Sequence, residues 1–158
     1  MKKLNLLLMA LTVASANVIA QDYPQLRDGV FYSNNGTLFT GQAKIEVNTP
    51  EGNQLQEIQS VDGLLHGSIS YFNTKGQLTE IGNYAMGKKE GVWTQFGAAG
   101  NKLGEAYYKD GKKDGIWTVW DEKGIKRYHM VYSMGKKVDT WKMWDENEQL
   151  VSERIFQE

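Results

Sequence analysis

A period of 24 residues runs through this chain and narrows its fold more than any other feature. Gly63, Gly87, Gly111 and Gly135 are spaced by 24. So are Gly67, Gly91 and Gly115, and so are Gly52, Gly76, Gly100 and Gly124. Three phases of one period thus hold 11 of the 17 glycines. The aromatic residues follow the same period. Trp93, Trp117 and Trp141 share a phase that begins at Ile69, and Phe72, Phe96, Trp120 and Trp144 share a second. Tyr84, Tyr108, Tyr132 and Phe156 share a third. A strict period of this length marks stacked units, each of which buries its apolar face only against its neighbours.

One unit shows what is being repeated. Gly87-Lys88-Lys89-Glu90-Gly91 sets two glycines around a polar stretch and reads as a turn. Val92-Trp93-Thr94-Gln95-Phe96 is β-branched and aromatic, the composition that strands favour. Gly97-Ala98-Ala99-Gly100-Asn101 reads as a second turn, and Leu103 to Lys109 as a second strand. The unit that follows repeats this plan as Gly111–Gly115, Ile116–Trp120, Glu122-Lys123-Gly124 and Lys126–Tyr132. Turn signals at this spacing, with no sustained helical period and no helix-sized gap, predict an all-β fold. The expected architecture is an elongated single-layer antiparallel sheet of tandem 24-residue β-hairpins. Each hairpin advances the sheet by roughly 9.6 Å, so four units would span about 40 Å.

A sheet one layer thick must bury apolar surface on its own faces. Trp93 and Phe96 are three positions apart and point to opposite faces unless a bulge intervenes, so repetition predicts an aromatic ladder on each face. Gly82 and Ala106 sit two residues before Tyr84 and Tyr108, where a small residue lets a neighbouring ring lie over the backbone. The ends depart from the pattern. Asp139 stands where the second glycine of the last unit belongs and Glu148 where its turn glycine belongs. Asp145-Glu146-Asn147-Glu148 is expected to blunt the final edge against further pairing. Gly41 to Gly67 is 26 residues, which places a two-residue insertion near the front. The expected division is residues 1–20 as a signal peptide, 21–62 as a region with a degenerate repeat, and 63–158 as four repeats, the last acting as a cap.

The signal peptide is read from Met1-Lys2-Lys3, the apolar run Leu4–Ala16, and Val18-Ile19-Ala20 before Gln21. Cleavage is expected after Ala20, with Ala16 as a second site. The run is short for a membrane span, and no second apolar run follows, so no transmembrane helix is expected. The expected destination is periplasmic or secreted. The chain has no cysteine, which excludes disulfides, thiol chemistry and an acylated cysteine. Without Lys2 and Lys3, 16 basic residues face 19 acidic ones, a net charge near −3 that does not suit nucleic-acid binding.

Catalysis needs an activated group beside a partner, and none is evident. His66 and His129 are the only histidines, and their separation of 63 is not a multiple of the period. They give no metal pair. Asp110-Gly-Lys-Lys-Asp114-Gly lacks the further acids of a calcium loop, and no phosphate-cradling motif is present. No enzymatic activity and no cofactor are expected. One charged pattern remains. Lys88-Lys89, Lys112-Lys113 and Lys136-Lys137 recur at successive units and predict a stripe of six lysines along one edge, with Glu90, Asp114 and Asp139 beside it. It reads either as solvated turns or as a surface for an anionic ligand.

Gly87 to Phe96 and Gly111 to Trp120, followed by a glycine turn and a strand ending near Tyr, resemble the MORN-repeat variant. This repeat occurs in exported bacterial proteins, many of them labelled YwqK-type antitoxins. The opening Gly29-Val30-Phe31-Tyr32 to Phe39-Thr40-Gly41 is also similar to how such proteins begin. The resemblance implies a twisted hairpin ribbon used for protein contacts and, in eukaryotic relatives, for membrane lipids. The expected function is therefore an exported, non-catalytic scaffold or immunity-like module that binds another protein. The alternative is binding of anionic lipid or an envelope polymer through the lysine stripe.

Overall fold

The computed structural model describes residues 24–50 and 52–157, and the expected signal peptide lies outside them. Thirteen strands follow one another along the described chain. β1 (Gln25–Arg27) and β2 (Val30–Tyr32) form a small hairpin. The long sheet holds β3 (Gly41–Thr49), β4 (Gly52–Val61), β5 (Leu64–Leu65), β6 (Gly67–Phe72), β7 (Leu78–Ala85), β8 (Lys88–Phe96), β9 (Lys102–Lys109), β10 (Lys112–Trp120), β11 (Lys126–Ser133), β12 (Lys136–Trp144) and β13 (Leu150–Phe156). Spatial order follows sequence order from β3 to β13, with the short β5 paired to β4 off the main path. All pairings are antiparallel, as the hairpin repeat predicts.

The turns lie elsewhere than the glycine pattern suggests. Gly87–Gly91 is expected as a turn, but β8 starts at Lys88 and the reversal is made by Met86-Gly87 alone. Met86 has φ 46° and Gly87 φ 79°, and Asp110-Gly111 and Met134-Gly135 repeat these signs. Two successive positive φ values give the two-residue turn whose twist suits a hairpin. The second glycine of the pair serves a bulge. Between Lys113 and Trp117 β10 runs through more residues than β9 spends between Tyr108 and Ala106, and Gly115 within that stretch has φ 101°. Asp139 and Glu148, which replace glycines in the last unit, keep φ 59° and 60°. The backbone plan persists there despite the side chains.

Each hairpin turn is tied to the unit before it. The N–H groups of Gly87, Gly111 and Gly135 donate to the carbonyls of Leu65, Lys89 and Lys113 at 2.7–2.9 Å. The residue before each of these glycines donates its own N–H to a side chain on the preceding unit. Met86 donates to His66 Nδ1, Asp110 to Glu90 Oε2 and Met134 to Asp114 Oδ1. His66, Glu90 and Asp114 are spaced by 24, so His66 occupies a phase of the repeat and serves as a turn acceptor.

The fully buried core sits at the front. Phe31, Phe39, Ile58, Ile69 and Trp93 form one cluster, and Ser60 is buried beside it. Phe31 donates its N–H to the Gly63 carbonyl, Phe39 to that of Phe31, and Gly63 to that of Phe39. Ser60 Oγ donates to the Phe39 carbonyl at 3.1 Å. These bonds close the front of the sheet. Behind Ala106 no described residue is fully buried, and no described element covers either face of the sheet. The acidic stretch Asp145–Glu148 forms the β12–β13 turn, held by Asp145 Oδ1 accepting from Asn147 and Gln149. It therefore does not lie along the terminal edge. That edge is β13, where Leu150, Val151 and Ile155 are exposed.

Candidate binding face

Trp93, Trp117 and Trp141 project from β8, β10 and β12 onto one face. The tyrosine phase fills the strands between them. Trp93 meets Tyr84 edge-on at 5.2 Å and Tyr108 at 6.1 Å. Trp117, Tyr132, Trp141 and Phe156 continue the row with centroid separations of 5.7, 5.1 and 4.9 Å. The indole N–H groups of Trp93 and Trp141 donate to the carbonyls of Asn83 and Val131, which fixes both rings along the strand. Gly82 permits this at the front: a Cβ there would lie 2.2 Å from the Trp93 ring. The expected role of the small residue holds. The same phase then carries Ala106 and Met130, and the rings above become progressively less covered, from buried Trp93 to half-buried Trp117 and Trp141.

The other aromatic phase does not stack. β8, β10 and β12 alternate without interruption from the tryptophan to Phe96, Trp120 and Trp144, because the extra residue of each bulge near these rings lies on the neighbouring strand. These rings therefore face the other side. Among the described residues, ring pairs form only in the tryptophan–tyrosine row. On the second face lysines occupy the gaps: Lys102 lies 5.6 Å from the Trp120 ring and Lys126 5.2 Å from Trp144. The prediction of a ladder on each face is corrected accordingly. Rings two strands apart are about 9.6 Å apart, too far to touch unless another ring intervenes, and only one face supplies that ring. Phe72 opens this phase on β6, opposite Leu55 and Leu78.

The six lysines divide in the same way. Lys88, Lys112 and Lys136 stay at the hairpin turns, opposite Ala85, Lys109 and Ser133, and point to solvent. The stems of Lys88 and Lys112 lie under the next turn, within 3.6 and 3.9 Å of where a Cβ on Gly111 and Gly135 would sit. Lys89, Lys113 and Lys137 turn onto the aromatic face, with their ammonium groups 3.6, 3.6 and 4.6 Å from the Trp93, Trp117 and Trp141 ring centres. Neighbouring lysines in one strand point to opposite sides, so a doublet cannot form a single stripe. Burial, and then the charge of Lys137, hold the Lys113 ammonium below the ordinary lysine range. Burial also raises Tyr108 and Tyr132.

Residues 89–110 match the MORN repeat variant. That stretch is β8, the turn after it and β9, the unit that carries Lys89, Trp93, Ala106 and Tyr108. The match supports the repeat reading and, with it, a binding role for the chain. No curated protein matches the chain. His66 and His129 lie apart, one before β6 and one on β11, with four strands between them in the sheet. Among the described residues no cluster of histidines and carboxylates is arranged to hold a metal ion, and no helix is long and apolar enough to cross a membrane. A hollow of about 340 Å³ near the front is lined by Gln42, Lys44, Glu57 and Ser70, and its Lys44–Glu57 pair is closed at 2.6 Å.

Sequence reasoning missed the partition of the lysines and the tie from each turn to the preceding unit. Both were signalled, the tie by the shared phase of His66, Glu90 and Asp114 and the partition by the adjacency of Lys88 and Lys89 in one strand, where neighbours face opposite sides.

Proposed function

We propose that this is an exported, non-catalytic repeat protein that binds another protein across its tryptophan–tyrosine face, as a scaffold or an immunity-like module. The observation that carries the reading is the uncovered aromatic row from Trp117 to Phe156. These rings are half-buried by one another with no second layer above them among the described residues, and half-covered aromatic surface is what protein interfaces use at their centres. The apolar run at residues 4–16 supports export. The alternative, an anionic lipid or envelope polymer, draws on the row Lys88, Lys112 and Lys136. That row has three lysines rather than six, and Lys88 lies 3.8 Å from Asp110.

Affinity capture from the producing cell's envelope fraction separates these readings. The bait is tagged mature protein, residues 21–158, at low and moderate salt. One protein retained at both salts and lost with Trp141→Ala supports the aromatic interface. Retention of lipid or polymer alone, released by moderate salt and by Lys88→Gln/Lys112→Gln/Lys136→Gln, sinks it, because screened charge contacts fade with ionic strength.

A further inference from the structure

The front and back of the aromatic face differ in charge balance. At the front, Lys89 has a carboxylate partner: Glu80 Oε1 lies 3.5 Å from its ammonium. The positions equivalent to Glu80 in the next two units are Gly104 and Tyr128. Lys113 and Lys137 therefore lack that partner, and Arg154 joins them from β13, lying 5.0 Å from the Phe156 ring. Among the described residues none of these three cations has a carboxylate within ion-pair distance. Beneath them, Tyr128, Met130, Trp141, Met143 and Phe156 help line a hollow of about 210 Å³, room for one large apolar side chain.

We propose that the open half of this face, from Lys113 to Arg154, docks an extended acidic polypeptide segment. Its carboxylates pair with Lys113, Lys137 and Arg154, and an apolar side chain enters the hollow over Met130 and Trp141. The inference rests on the protein-binding reading above and names the chemistry of its partner. Three cations over an aromatic floor, with no carboxylate in ion-pair distance among the described residues, are complementary to an anionic ligand. Lys113 is folded down onto Trp117 rather than projecting, so a flat headgroup surface meets it poorly, whereas a side-chain carboxylate reaches it. The thioethers of Met130 and Met143 and the rings of the hollow suit an apolar side chain, while Lys137, Lys142, Ser152 and Arg154 line its polar side.

Fluorescence anisotropy with the mature protein tests this. The probe is a soluble labelled peptide in which glutamates alternate with leucines, compared with its glutamine counterpart, with polygalacturonate and with phosphatidylglycerol vesicles. The glutamate peptide should bind, and the glutamine peptide should bind more weakly. Lys113→Gln/Lys137→Gln should weaken binding about tenfold, the effect of losing two partly exposed charge pairs. Gly104→Glu/Tyr128→Glu should do the same while leaving both lysines in place, because it supplies the carboxylates that Glu80 supplies in the first unit. Lys112→Gln/Lys136→Gln on the turns should change affinity less than about twofold. The proposal is overturned if the glutamate peptide does not bind, if the turn variant loses as much as the face variant, or if polygalacturonate or vesicles bind more tightly than the peptide. If the peptide fails while a captured protein still depends on Trp141, this inference falls and the protein-binding reading stands.

Discussion

Gly82→Ala adds one methyl group directly against the buried Trp93 ring. Gly82 has ordinary extended backbone geometry, so alanine meets no conformational penalty there and the effect is steric. The new Cβ would lie 2.2, 2.4 and 2.7 Å from three carbons of the Trp93 ring. Carbon atoms in contact sit about 3.5–4.0 Å apart, so the ring must retreat by more than roughly 1 Å. It has little room to do so. Trp93 is only 2% exposed, its indole N–H is bonded to the Asn83 carbonyl at 3.1 Å, and Tyr84, Tyr108 and the Lys89 ammonium surround it. Overpacking costs about 1–3 kcal/mol and loss of the indole hydrogen bond about 1 kcal/mol, so the expected destabilisation is about 3 kcal/mol. For a domain of this size that lowers Tm by roughly 10 °C. Urea unfolding followed by tryptophan emission reads the stability and the summed environment of the five tryptophans, of which Trp93 is the most buried. Ala106→Gly is the control: it removes a methyl from the same phase and should cost no more than about 1 kcal/mol, mainly through backbone freedom. A Gly82→Ala protein within about 0.5 kcal/mol of wild type, with unshifted emission, would refute the claim that the ring is seated on the glycine backbone.

Glu148→Gly should stabilise the protein by about 0.5–1 kcal/mol, since Glu148 holds a left-handed backbone (φ 60°) that glycine adopts freely; unchanged thermal unfolding would contradict this. Asp114→Ala removes the acceptor for the Met134 N–H, 2.9 Å away, and should cost about 1 kcal/mol, with faster hydrogen exchange at Met134 than at Asp110, whose acceptor Glu90 is intact. Burial, then the hydrogen bond with Tyr84, raise Tyr71 well above the ordinary tyrosine range. Above about pH 10 the unfolded chain's tyrosines ionise while Tyr71 keeps its proton, so the unfolded state binds fewer protons and stability falls as pH rises. Tyr71→Phe should flatten that decline between about pH 10 and 12, and an unaltered slope would count against it.

The 24-residue spacing of glycines and aromatics was enough to determine a meander of hairpins, because the period-two alternation of a strand and the positive φ of a turn both leave local marks. The closeness of Trp93 to Gly82 was legible for the same reason: register follows from turn length, and register sets what lies opposite. The lysine doublets looked like one stripe because adjacency in sequence hides the alternation that sends Lys88 and Lys89 to opposite sides. The five-residue glycine segment looked like a turn because a bulge and a turn both call for positive φ, and only pairing across the sheet tells them apart. The front core of Phe31, Phe39, Ile58 and Ser60 departs from the residue types that the period repeats and depends on contacts between distant segments. The candidate site is likewise tertiary. Lys113, Lys137 and Arg154 become one surface, without a carboxylate partner among the described residues, because stacking brings β10, β12 and β13 together and because Gly104 and Tyr128 stand where Glu80 stands at the front.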